Sequence, residues 1–323
     1  MSDQPASILV YVGLDRFGDG LMKLPFVRAL RSTWPGASIT WLAGKGETVY
    51  AGRLGPLVLG LIDEVIQNAG IGLSAGELMK RPLPERRFDL ILDTQRRFMT
   101  SLVLKRIRHG RFVSGTTGWL LSDARPPRRG KPPAMIRQML DLIEAASGKP
   151  IELRRAQASL PRDVERQAAE LLPQGPAYVA IAPGAGDRRK CWPLDRFIAL
   201  GRRFETPVVL LGPDEAEWHD DLKTALPAAR FPFQATRLGA DPALSLAVAR
   251  RLRAAVANDA GMGHLLAAGD CPLVSLFGPT PAGKFAPFAE KLTVIEAQAF
   301  GGDEMAAIPL EAVAAAVDRH LGG

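Results

Sequence analysis

Four glycine-bearing loops carry residue types that could do chemistry, and each sits where a strand is expected to end, the place open α/β sheets put their ligands. The first, Gly13-Leu14-Asp15-Arg16-Phe17-Gly18-Asp19-Gly20, has the glycine spacing of a phosphate-binding loop without its chemistry. Asp19-Gly20 stands where a Lys-Ser/Thr pair would grip phosphate and Mg²⁺, and a carboxylate there repels phosphate, which excludes a P-loop NTPase. No GxGxxG follows the first apolar run, which disfavours a nicotinamide dehydrogenase. Asp19 itself has two readings. Either it caps the helix that follows, a common duty for Asp after a glycine turn, or it stays on a loop as a general base. The second reading leans on Pro25, which favours a first helical turn and moves the expected helix start past Asp19.

The second loop is Pro183-Gly184-Ala185-Gly186-Asp187-Arg188-Arg189-Lys190-Cys191-Trp192-Pro193. Gly184 and Gly186 let the backbone turn tightly, three consecutive cations follow, and Pro193 opens a helix. Backbone N–H groups and a point charge converge there, as a diphosphate requires. A basic surface loop before a helix-starting proline would look the same. The third loop, Asn258-Asp259-Ala260-Gly261-Met262-Gly263-His264, also runs from a strand into a helix, whose free N–H groups favour phosphate. Its plain alternative makes Asp259 an N-cap and His264 a packed histidine. The fourth, Phe277-Gly278-Pro279-Thr280-Pro281, brings Gly278 and Thr280 to another strand end. Taken alone it is a turn.

The elements that must position these loops alternate short apolar runs with helical patterns, the mark of βα units and parallel sheets. Strands are expected at 8–12, 39–43, 63–67, 88–93 and 111–114, then at 178–182, 208–211, 254–257 and 273–277. Met22, Phe26, Ala29, Leu30 and Thr33 recur with helical spacing. Further helices are expected over about 97–108, 134–146, from 193, from 214, over 261–269 and over 310–321. Segment 123–133, DARPPRRGKPP, reads as a surface loop that could close over substrate. Prolines and glycines over 150–176 mark the connection between halves.

At 323 residues the chain exceeds the size of one ordinary core, so two domains are expected. Apolar content of 47% excludes a disordered chain. No run reaches the roughly 18 apolar residues of a membrane span, and the first residues show no export signal. Cys191 and Cys271 lie far apart, without metal or redox spacing, so a reducing, cytoplasmic setting is expected. Net charge is +7. Residues 81–131 hold 13 basic residues against four acidic ones, an excess of nine. Solvation of a surface explains part of that. An anionic partner explains the rest; nucleic acid is disfavoured, since no stacking platform interleaves the cations.

In order and spacing, ILVYVGLDRFGDGLMKLPFVRALR, VAIAPGAGDRRKCWPLDRF, VVLLGPDE and AVANDAGMGHLLAAGDCPLVSLFGPT resemble the ADP-heptose:lipopolysaccharide heptosyltransferases, glycosyltransferase family 9. The resemblance covers nearly the whole chain. It implies an α/β chain of GT-B fold, two Rossmann-like domains with parallel sheets facing a central cleft. Residues 1–160 would bind acceptor and 161–306 the nucleotide sugar, with 307–323 a helix free to pack back on the first domain. The same resemblance makes Asp19 the catalytic base and puts donor phosphate on Lys190. The donor loops then include Gly184, Gly186, Asp259, Ala260, Gly261, Gly263, His264 and Thr280. The nucleoside falls to Glu215, with Glu217 a competing choice. Ala260 departs from the family, which usually has Ser or Thr there, and this leaves the donor's identity open. The partners implied are ADP-heptose and an anionic glycan or glycolipid acceptor, with no metal, no cofactor and no nucleic acid; peripheral association with the inner membrane face is left open. Two rivals stand beside this reading. One is a related transferase with another nucleotide sugar or a non-lipopolysaccharide acceptor, and the other is a catalytically silent nucleotide-binding protein of the same fold.

Overall fold

Each half of the chain builds a five-stranded sheet in which every pairing is parallel. A computed structural model describes residues 4–15, 17–72, 74–79, 81–127, 130–151, 160–175 and 177–322. Residues 128 and 129 of the expected surface loop, and 152–159 and 176 of the expected connection, lie outside the described residues. The chain divides into two compact units, Met1–Ala156 and Gln157–Gly323.

The first unit runs β1 (Ser7–Val12), α1 (Phe17–Thr33), β2 (Ser38–Ala43), β3 (Glu64–Ile66), β4 (Arg87–Asp93), α2 (Phe98–Leu104), β5 (Arg108–Ser114) and α3 (Met135–Ser147). Its strand order is β3-β2-β1-β4-β5. Ile8 to Val12 are buried without alternation, as expected of a strand covered on both faces. Leu9, Tyr11, Leu42, Ile91, Val103 and Phe112 join in one core cluster.

Two expectations need correction here. Helix α1 begins at Phe17 and carries Pro25 inside it, so Asp19 lies in the first helical turn and not on a loop. Burial of Leu21, Leu24, Phe26 and Val27 holds the helix through the proline, outweighing its local preference. Helix α2 stops at Leu104, and the cations after it open a strand: Arg87 pairs with Arg108 at the start of the β4–β5 register. An edge strand with exposed Arg108 and Arg111 shows no apolar alternation to announce it.

The second unit runs α4 (Arg162–Leu171), β6 (Tyr178–Ala182), α5 (Leu194–Gly201), β7 (Val208–Val209), α6 (His219–Ala225), α7 (Pro242–Ala249), β8 (Leu252–Asn258), α8 (Gly261–Ala268), β9 (Leu273–Phe277), α9 (Ala282–Phe285), β10 (Leu292–Glu296) and α10 (Leu310–Leu321). Its order is β10-β9-β8-β6-β7. Helix α4 occupies part of the segment expected as a bare connection. Strand β7 is shorter than expected, although the Leu210 amide still donates to Ile181 O at 2.9 Å. A 3-10 turn, Pro213–Trp218, precedes α6, so the acidic segment is not one continuous helix. The apolar face of α10, with Val313, Ala314, Ala316 and Val317, is taken up by this unit's own core.

The two orders fix where ligands belong. In the first sheet the chain steps outward from β1 to β3, then returns to place β4 on the other side of β1. In the second it steps from β6 to β7, then returns to place β8 on the other side of β6. Open α/β sheets bind ligands outside the carboxyl ends of the strands at such reversals. The loops after β1 and β4, and those after β6 and β8, occupy these positions.

Candidate functional site

In the first unit, β1 delivers the loop that leads into α1. Asp15 is fully enclosed there: Trp41 Nε1 and Thr48 Oγ1 donate to its Oδ2 at 2.9 and 3.1 Å. Its other oxygen forms an ion pair with Lys23 Nζ, itself buried. Removing one partner would strand a buried charge, at about 3–5 kcal/mol. One turn before Lys23, half-buried Asp19 lines a cavity of about 240 Å³ together with Lys23, Thr94, Gln95, Arg96 and Gln138. Its place in the first turn of α1 puts its negative charge at the positive end of the helix dipole. The cavity sits between the β1 and β4 loops, at the reversal of the sheet.

In the second unit, the loops after β6 and β8 are bound together by one side chain. Asn258 is fully buried; its Oδ1 accepts from the Trp192 amide at 3.0 Å, and its Nδ2 donates to Pro183 O at 2.8 Å. Both bonds span more than sixty residues of sequence. They hold the glycine loop against the start of α8, and there Lys190 Nζ meets Asp259 Oδ2 at 2.8 Å. Thr280 Oγ1, from the loop after β9, donates to the same oxygen at 2.5 Å. Lys190, Asp259 and Thr280 therefore form one cluster drawn from three loops of the second unit.

Gly261 and Gly263 lie in the first turn of α8, and Ala260 is its N-cap in extended conformation, without a side-chain cap bond. Asp259, the alternative cap, instead spends its carboxylate on Lys190 and Thr280. His264 follows on α8. Burial lowers its pKa to about 4; Lys190 acts in the same sense and Asp259 against it, so the ring is neutral at physiological pH.

Glu215 and Glu217 part company. The Glu215 carboxylate accepts from the Gly212 amide at 2.9 Å and packs on Gly184, where a Cβ would lie 2.2 Å from Glu215 Cδ. A side chain there would have to displace the Glu215 carboxylate. Burial raises the Glu215 pKa; the Gly212 amide opposes the shift, Asp214 adds to it, and Arg188 opposes it. Glu217 is exposed and pairs with Arg188, whose guanidinium stacks 4.4 Å from the Trp218 ring centre. Gly186 meets no neighbouring atom that a Cβ would strike.

Asp15, Lys23 and Asn258 carry structural weight that the sequence did not assign to them. Asp15 and Lys23 straddle a loop-to-helix junction with no shared period, so no signal marks their pairing. Asn258 could have been suspected as a polar residue ending an otherwise apolar strand. Among the described residues no cluster of three or more His, Cys, Asp or Glu could hold a metal ion, and Cys191 and Cys271 are free thiols. Among them too, no helix is long and apolar enough to cross a membrane.

Residues 78–305 match the sequence profile of glycosyltransferase family 9 (heptosyltransferase). Lipopolysaccharide heptosyltransferase 2 of Salmonella typhimurium is 25% identical over 312 residues, spanning 89% of this chain and 87% of that protein. A glycosyltransferase family 9 structure from Veillonella parvula superposes with a TM-score of 0.71 at 18% identity, covering 99% of this chain and 98% of that one. E. coli heptosyltransferase WaaC, solved with ADP, gives 0.67 at 17% identity over 97% and 99% of the two chains. The same enzyme with ADP-2-deoxy-2-fluoro heptose gives 0.66 at 18% over the same shares.

Proposed function

Because this chain belongs to glycosyltransferase family 9, the heptosyltransferases, we propose that it moves a heptose from ADP-heptose to a hydroxyl of an acidic glycan acceptor, with inversion and without a metal. Supporting this reading above all is the clustering of Lys190, Asp259 and Thr280 at the reversal of the second sheet. That is where an open α/β sheet takes a nucleotide. WaaC was solved with ADP and with an ADP sugar, which favours an adenine donor here.

In this mechanism Asp19 accepts the proton of the acceptor hydroxyl as its oxygen attacks the anomeric carbon. The bond from that carbon to the phosphate oxygen breaks on the opposite face, and its electrons leave with ADP. Lys190, together with the N–H groups at the start of α8, meets the charge that grows on the leaving diphosphate. It thereby stabilises the transition state more than the ground state. Lys190 supplies the cationic charge that a metal would otherwise bring. Glu215, beside the glycine loop, is assigned to the nucleoside. The excess of nine positive charges over residues 81–131 suits an acceptor bearing carboxylates or phosphates, such as a lipopolysaccharide inner core. A cytoplasmic enzyme associated peripherally with the membrane face fits such an acceptor.

A second reading, a transferase of the same family with another nucleotide sugar, rests on Ala260, which caps α8 without a hydroxyl. Thermal-shift screening against ADP-heptose, ADP, GDP and UDP separates the two, since preference for a non-adenine ligand selects the second. A shift with none of them sinks both. For the base, Asp19→Ala is expected to lower turnover by about 10²- to 10⁴-fold; retention of more than about a tenth of wild-type turnover removes Asp19 from that role.

A further inference from the structure

Strand β4 ends at Asp93, and the turn after it carries Arg96 at φ 51°, in the left-handed region where only glycine sits without strain. An arginine held there needs a reason. Its guanidinium lies across Gly115, where a Cβ would come within 2.9 Å of Arg96 Nε. It is half-buried and lines the Asp19 cavity.

The two carboxylates whose charge acts on Arg96 from outside the cavity, Asp141 and Asp93, are already engaged. Asp93, fully buried beneath the turn, accepts from Ser101 Oγ at 2.5 Å, Ser114 Oγ at 2.8 Å and the Gln95 amide at 2.9 Å. Asp141 accepts from Arg137 Nε at 3.0 Å. Lys23, the other cation of the cavity, is bound to Asp15. Among the described residues the Arg96 guanidinium has neither a hydrogen bond nor an ion pair. A partly desolvated guanidinium with its planar fork of donors unused is built to take an oxyanion in two parallel bonds.

We propose that Arg96 is an acceptor-recognition residue that holds an oxyanion of the acceptor, a carboxylate or a phosphate, in the cavity lined by Asp19. This rests on the reading of Asp19 as the base, because it assigns the same cavity to the acceptor. Arg96 would grip the charged group while Asp19 takes the proton from a hydroxyl of the same molecule. Its role is binding and orientation, and it takes no part in the bond exchange.

The test measures binding of D-glucuronate, D-glucose 6-phosphate and neutral D-glucose to the full chain and to Arg96→Gly. Glycine relieves the left-handed backbone, so this variant is expected to melt no lower than the wild type. The wild type is expected to bind at least one of the acids about tenfold more tightly than glucose, as one charge-assisted contact allows, and Arg96→Gly to lose that preference. Whichever acid is preferred identifies the oxyanion as carboxylate or phosphate. The proposal is overturned if the wild type prefers neither acid, if Arg96→Gly keeps the preference, or if Arg96→Gly melts several degrees lower, which would make Arg96 a strut over Gly115. Asp19→Asn keeps the two readings apart: it should retain the acid preference while losing turnover. Full turnover in Asp19→Asn would refute the base alone, and the acid preference would still judge Arg96.

Discussion

Asn258→Leu isolates what one amide does for the second unit. Leucine keeps the branch of asparagine at Cγ but is larger, so the change removes the hydrogen bonds without opening a cavity and adds an overpacking cost of about 1–3 kcal/mol. It strands the Trp192 N–H and the Pro183 carbonyl, now bonded at 3.0 and 2.8 Å, both beside a side chain with no exposure. Each buried group left without a partner costs about 1–3 kcal/mol, so the stranded groups alone account for a loss of about 2–6 kcal/mol. Set against a typical total of about 5–15 kcal/mol, that is severe. Urea unfolding gives the stability, and titration with ADP gives the functional consequence, since Lys190 and the start of α8 lose their common anchor. A variant within about 0.5 kcal/mol of the wild type, with unaltered ADP affinity, would refute the claim that this amide ties the two loops together.

Three further outcomes follow from the same site. Lys190→Ala should lower kcat/KM for the donor by about 10²-fold, as loss of a charge aimed at a leaving group does; an unchanged value would exclude a phosphate role. His264 titrates at about 4 in the fold against 6.5 for an ordinary histidine. Between those values the unfolded chain binds up to one proton more. The stability contributed by a neutral His264 is therefore full above about pH 6.5 and falls as pH drops toward 4, and His264→Gln should flatten that slope in urea midpoints taken at several pH values. Gly184→Ala should cost about 1–3 kcal/mol, because its new methyl would lie 2.2 Å from Glu215 Cδ. Adding Glu215→Ala should restore most of the loss, whereas strict additivity in the double-mutant cycle would rule out that contact.

The sequence was most legible where one physical signal acted alone. Strand β6 and helix α10 fall on the expected residues because each is framed by prolines or glycines and has one clear apolar pattern. Helix α7 escaped notice: it is buried all round, so Pro242–Ala249 shows no amphipathic period, and its best cue was Asp241 capping the Ala243 and Leu244 amides. The start of α1 was misplaced because a local preference of Pro25 was weighed without the packing of its neighbours. Within the candidate site, the residue types of the loops after β6, β8 and β9 were readable from spacing. The partners were not: that Thr280 and Lys190 share the Asp259 carboxylate depends on three strand ends lying side by side, which no single segment encodes. Arg96 gave no signal at all, since a positive φ at arginine goes against every sequence-level expectation.

Trp192 joins two parts of the second unit that are far apart in the chain. Its amide is held by Asn258, while its indole Nε1 donates at 2.9 Å to Ile308 O, just before α10. Its ring sits in the core, edge-on to Phe197 at 5.0 Å, two residues from the Lys190 ammonium. The chain thus carries an intrinsic fluorophore wired to the loop proposed to hold the donor. The difference in emission between the wild type and Trp192→Phe would report nucleotide occupancy optically, with no dye attached and no turnover needed.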